Sequence, residues 1–140
     1  MTSIEAERGI RTATSLWPGI KLMPSGSYAD RKLGIDGYED GKTIQVKYDV
    51  KMAETNNLYH EIYEKTKGKP WQSWRHSPGL VDEYIFITEG FGVRIPIAAL
   101  AELEKGKLLC QITDTSMGFL VPLVEIPQEY IASGGRCQGG

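Results

Sequence analysis

Cysteine is nearly absent from this chain: two residues in 140, Cys110 and Cys137, and no CxxC pair. A disulfide framework or a cysteine-rich zinc module is thereby excluded, and a reducing, cytoplasmic setting is the expectation. Histidine is limited to His60 and His76, neither with a partner at ligand spacing. Long apolar runs are lacking too. No segment reaches the eighteen residues a membrane helix needs, so no membrane span is expected. The opening MTSIEAERGIRTAT has early acids and no apolar stretch of signal-peptide type. Nor is there an excess of one charge. A net charge of −2 rules out coating nucleic acid by bulk charge, while leaving room for a local basic patch.

What is present suits a globular domain. At 41% hydrophobic and 24% charged, the chain can bury a core, and residues 1–132 are expected to form one domain with residues 133–140, SGGRCQGG at their C-terminal end, as a disordered tail. Thr2 and Glu5 form a capping box ahead of a helix from Ser3 to Trp17, with Ala6, Ile10, Ala13 and Trp17 on one stripe. Strands are expected at Ile20–Met23, Leu33–Tyr38 and Thr43–Val50, then a helix over Ala53–Lys67 and a loop over Gly68–Gly79. Further strands at Val81–Thr88 and Gly92–Pro96, a helix at Ile97–Lys105, and strands at Leu108–Thr113 and Phe119–Ile126 complete the order. This is an α/β pattern, a mixed central β-sheet flanked by helices.

Asp40-Gly41 is a two-residue hairpin signal. Counting outward from it sets Glu39 against Lys42, Tyr38 against Thr43, Gly37 against Ile44 and Asp36 against Gln45. Opposed side chains lie roughly 5 Å apart at Cβ, and Lys47, two residues on, shares the Gln45 face. The other face collects Leu33, Ile35, Ile44, Val46 and Tyr48. A carboxylate, an amide oxygen and an ammonium are thus expected together on the polar side of a β-ribbon. Asp30 is a second candidate acid, but the ladder places it against Lys51, far from Gln45.

That cluster suits a divalent cation, which prefers oxygen ligands and keeps several waters. Asp36, the Gln45 side-chain oxygen and the backbone carbonyl of Val46 are the candidate metal ligands, with Glu7, or second to it Glu5, from the first helix. Lys47 would hold a phosphate oxygen or the attacking water. An exposed cross-strand ion pair between Asp36 and Lys47 is the plainer alternative.

Asp36 in GIDG followed by Gln45-Val46-Lys47 in IQVKYD resembles the PD-(D/E)XK nuclease superfamily, in its Q-x-K form. VDEYIFITEGFGVRIPIAAL is similar to the strand, strand and helix that follow there, and PSGS at Pro24–Ser27 is loosely similar to Holliday-junction resolvases, adding Ser27 as a contact. The resemblance covers about residues 3–105. It implies a restriction-endonuclease-like core and a Mg²⁺-dependent endonuclease, Mn²⁺ substituting, that hydrolyses DNA, with branched or structured DNA among the candidate substrates, as a homodimer. The catalytic residues it implies are Asp36, Gln45, Lys47 and Glu7. Gln45 departs from the family's acid and lowers the charge of the site.

The loop Lys67–His76 interleaves cations with tryptophans. Lys65, Lys67, Lys69, Trp71, Trp74, Arg75 and His76, extended by Lys51, are the candidate nucleic-acid contacts, since Lys and Arg hold phosphates and aromatic rings stack on unpaired bases. Packing of Trp71 and Trp74 against the core is the alternative use of the same residues. A nuclease-fold module that binds nucleic acid or a protein without cutting remains the second functional reading.

Overall fold

The computed structural model describes residues 4–24, 27, 34–73 and 80–134, with the backbone alone for Glu5 and Ala6. The chain is mixed α/β, with three α-helices and two sheets among these residues. Helix α1 spans Ile4–Leu16. The strands β1 (Lys21–Leu22), β2 (Gly37–Glu39) and β3 (Lys42–Tyr48) follow. Asp40 and Gly41 carry the hairpin with φ of 51° and 79°, the left-handed pair that a tight two-residue turn requires and that Asp-Gly adopts readily. The register is the one counted from the sequence: Glu39 with Lys42, Tyr38 with Thr43, Gly37 with Ile44. The Asp36 N–H donates at 2.8 Å to the carbonyl of Ile44, the residue already paired with Gly37, so the ladder ends there and the expected pair Asp36–Gln45 does not form a rung.

Beyond β3 the expected helix over Ala53–Lys67 is replaced by one turn, α2 (Met52–Thr55), and then strand β4 (Asn57–Glu64). Asn56 ends the helix in the left-handed region, φ 58°, its N–H bonded to the Met52 carbonyl. The i, i+4 pair Leu58–Ile62 reads as helical in sequence. Long-range pairing overrides it: aromatic and β-branched residues fill the stretch, and β4 pairs along its length with β9 (Ser116–Pro122). The rest of the chain forms β5 (Gln72–Ser73), β6 (Glu83–Thr88), β7 (Phe91–Pro96), α3 (Ile97–Glu104), β8 (Cys110–Thr113) and β10 (Ile131–Ser133). The strand expected to run to Ile126 stops at Pro122 and passes into short 3-10 turns.

Instead of one central sheet there are two. A six-stranded mixed sheet has the order β1-β2-β3-β6-β7-β10, with β3 and β6 parallel, and a four-stranded antiparallel sheet has the order β5-β4-β9-β8. The Asp82 carboxylate accepts the Thr43 N–H at 2.9 Å while the Asp82 N–H donates to the Thr43 carbonyl, pinning the parallel register where it starts. Strand β6 is buried on both faces, which is why its sequence is a continuous apolar run. One face, with Ile85 and Ile87, joins Ile44 and Ala13 beneath α1. The other, with Tyr84 and Phe86, packs with Leu58 and Val121 of the second sheet and Leu100 of α3. The six-stranded sheet therefore lies between a helix and a second sheet. Among the described residues no helix is long and apolar enough to cross a membrane.

Candidate active site

Parity on β3 sends Ile44, Val46 and Tyr48 toward α1 and Gln45 and Lys47 toward the second sheet, beside their register partners Tyr84 and Phe86. Within β3 the expected division of faces holds, but Ile35 does not join Ile44, Val46 and Tyr48: it packs on the opposite side, in the core between the sheets, and Leu33 lies outside the described residues. Nor is the polar face open. The second sheet lies over it, and Gln45 is 8% exposed with its side-chain oxygen shielded from solvent.

Asp36 stands where the ladder between β2 and β3 ends. Its Oδ2 accepts the Val46 N–H at 2.7 Å, so the side chain replaces the next rung of backbone pairing. In an extended strand the N–H and carbonyl of one residue point to the same side. The Val46 carbonyl therefore faces the same edge as Asp36.

Lys47 has its ammonium 5.3 Å from the centre of the Tyr84 ring. Burial pushes this amine down from its ordinary 10.5 to about 8, against the pull of three carboxylates, Glu61 first, then Asp36 and Glu64. Glu61 and Glu64 both come from β4. Lys47 and Glu61 also line an open cleft of about 280 Å³ with Asp49, Tyr59 and Phe86 among its walls. Asp49 accepts the N–H groups of Lys51 and Tyr59, and burial nevertheless holds its carboxyl above the usual range. Glu61 accepts a hydrogen bond from the Ser116 hydroxyl, which also bonds the Tyr59 hydroxyl at 2.6 Å.

Of the residues singled out by sequence, Asp36 and the Val46 backbone are brought together at the β2-side edge of β3, while the Lys47 side chain lies on the face toward the second sheet, with Asp36 among the carboxylates acting on it. Gln45 lies in the layer between the sheets. Glu7 is exposed on α1, so the six-stranded sheet stands between that helix and Lys47. The Glu5 side chain and Asp30 lie outside the described residues. Lys51 is exposed and immediately precedes α2. Lys65, Lys67 and Lys69 are exposed after β4, with the Lys65 ammonium 5.9 Å from the Trp71 ring. Ser27 is half-buried, its N–H on the Pro24 carbonyl. Trp74, Arg75 and His76 fall outside the described residues.

A divalent cation of the kind the resemblance implies finds two oxygen sources on the edge, the Asp36 carboxylate and the Val46 carbonyl. That fits the habit of Mg²⁺, which is held by one or two carboxylates and otherwise by water and phosphate. It is not an all-protein cage: among the described residues no three His, Cys, Asp or Glu side chains converge. Glu61, Asp49, Tyr59 and Tyr84 belong to the site and are not apparent from spacing in the sequence. The alternation Leu58, His60, Ile62 against Tyr59, Glu61, Tyr63 is the signal that could have placed Glu61 on a strand. No family model matches the sequence, and no curated protein or solved structure is similar to it.

Proposed function

We propose that the chain is a metal-dependent endonuclease hydrolysing DNA phosphodiester bonds, with its site at β3, where Asp36 and Val46 stand close to Lys47 and Lys47 lines the cleft beneath β4. The observation that carries this reading is the position of Lys47: an amine drawn down to about 8 by burial, within the field of Glu61, Asp36 and Glu64, and opening onto a cleft. Perturbed groups of this kind cluster at functional sites. In this role Lys47 holds a non-bridging phosphate oxygen and offsets charge as the bond breaks. Asp36, fixed by the Val46 N–H, and the Val46 carbonyl would hold Mg²⁺ or Mn²⁺, which when bound polarises the phosphodiester and lowers the pKa of a water. Gln45 keeps the strand in register by filling the layer beneath. The exposed lysines 65, 67 and 69 and Trp71, which begin one residue after Glu64, supply phosphate and base contacts. A homodimer would let two such sites embrace a duplex.

The test is incubation of labelled duplex, single-stranded, flap and four-way-junction DNA with Mg²⁺ or Mn²⁺. Wild type is expected to cut at least one of them, with Asp36→Ala and Lys47→Ala inactive. The small number of acids near Asp36 favours a second reading, a nucleic-acid-binding module of this fold. Salt-dependent retention of DNA without cutting, and no heat on Mn²⁺ titration, would select it.

A further inference from the structure

Strand β4 departs from a regular ladder at one place. Its pairing with β9 shifts between Glu61 and Tyr63, leaving Ile62 as an extra residue. Such bulges re-aim a side chain and are common beside active sites. The facing residue on β9 is Gly118, and any Cβ there would lie 2.1 Å from the His60 carbonyl oxygen and 2.8 Å from the Glu61 Cα. The two strands come this close only because Gly118 has no side chain. A bulge and a glycine contact thus coincide at Glu61. The side chain is then held from a third direction, by the Ser116 hydroxyl, itself bonded to Tyr59. What Glu61 lines is the cleft it shares with Lys47.

On β3 the position that would carry a second acid is Gln45, which brings no charge and is buried. We propose that Glu61, reaching across from the second sheet, is the carboxylate that positions the Lys47 ammonium in the cleft, as the ion-pair partner that β3 itself lacks. Its place in catalysis rests on the nuclease reading; its pairing with Lys47 rests on the cleft that the two side chains share. Asp36 and Glu64 also act on Lys47, but Asp36 is committed to the Val46 N–H and Glu64 is exposed at the end of β4. Glu61 is therefore a positioning residue, set by the bulge and by Ser116.

Lysine-labelled protein, read by the ¹⁵Nζ signal of its ammonium groups, tests the contact without any DNA. A held, ion-paired ammonium exchanges its protons slowly enough to be seen, and Lys47→Met identifies the Lys47 signal by its loss. The signal is expected in wild type and in Glu64→Gln, weakened in Ser116→Ala and lost in Glu61→Gln, with backbone amide spectra reporting that each variant is folded. An unchanged Lys47 signal in folded Glu61→Gln overturns the proposal. Should Glu61→Gln not fold, an unchanged signal in Ser116→Ala overturns it instead. On a DNA that wild type cuts, Glu61→Gln is expected to lower kcat roughly 100-fold, the effect of a reacting group misplaced by about 1 Å, with KM held within about twofold. If wild type cuts nothing, the nuclease reading fails and the ammonium signal alone still decides the contact.

Discussion

Replacing Lys47 by methionine separates what the residue costs from what it does. Its amine is drawn from 10.5 to about 8 on folding, a difference on the order of 3 kcal/mol in favour of the uncharged form. Between those two values the unfolded chain holds a proton that the folded chain has released, so stability attributable to Lys47 rises with pH across that window, and the full cost is present below about pH 8. Lys47→Met is expected to raise stability at pH 7 by up to that amount, less whatever Glu61 loses with its partner, while abolishing DNA cutting. Urea melts at pH 7 and pH 10 measure it: the gain over wild type should shrink at the higher pH. Asp49 behaves in the opposite sense. Burial raises its folded pKa above 3.8, so its contribution is best at low pH and declines as pH rises from about that value through the folded pKa. Asp49→Asn removes the titration but keeps one acceptor oxygen for the two N–H groups that Oδ1 and Oδ2 accept separately, so its stability relative to wild type is expected to fall as pH is lowered from 7 toward 4, read by thermal melts at the two pH values.

At the scale of elements, the bulge in β4 is the feature most exposed to a single change. Gly118→Ala places a methyl against the backbone of His60 and Glu61, and because backbone rather than a flexible side chain must yield, a loss of about 2–4 kcal/mol is expected by thermal or urea unfolding. On the proposed reading the segment after β4 serves DNA binding rather than folding. Lys65→Ala with Trp71→Ala removes an exposed cation and the ring it approaches at 5.9 Å. DNA affinity should fall and the slope of log affinity against log salt should drop by about one, with the melting temperature unchanged. These elements also mark how far sequence carried. The β2–β3 hairpin was legible because turn chemistry is local: Asp40-Gly41 sets the conformation and the register from Glu39–Lys42 to Gly37–Ile44, but counting fails one step later, where the Asp36 side chain takes the Val46 N–H in place of a Gln45 pairing. Strand β4 was not legible, because Leu58 and Ile62 satisfy a helical period as well as a strand, and only pairing with β9, about sixty residues away, decides between them. Glu61 was lost with that decision. The burial of Gln45 was hidden for the same reason, since nothing in TIQVKYD announces a second sheet above it.

Across the whole molecule, the strand that closes the six-stranded sheet comes last. Ile131–Ser133 pairs with β7, while Tyr130 and Ile131 pack against the main core. Removing residues 128–140 bares the β7 edge and part of that core. The truncated protein is expected to melt several degrees lower and to self-associate, which differential scanning calorimetry and light scattering would record. A more general consequence follows from the parallel pairing of β3 with β6. The hairpin with Asp36 and Lys47 is assembled from neighbours in the chain, yet its far flank is supplied by residues 83–88 and its cover by β4 and β9. During synthesis on a ribosome, a chain that has emerged only as far as residue 80 owns every group of the hairpin and strand β4, but neither β6 nor the β9 partner that holds β4 over Lys47. On the nuclease reading, chemical competence is therefore deferred until most of the polypeptide has been made, and a prematurely terminated product would carry the motif without the reactivity.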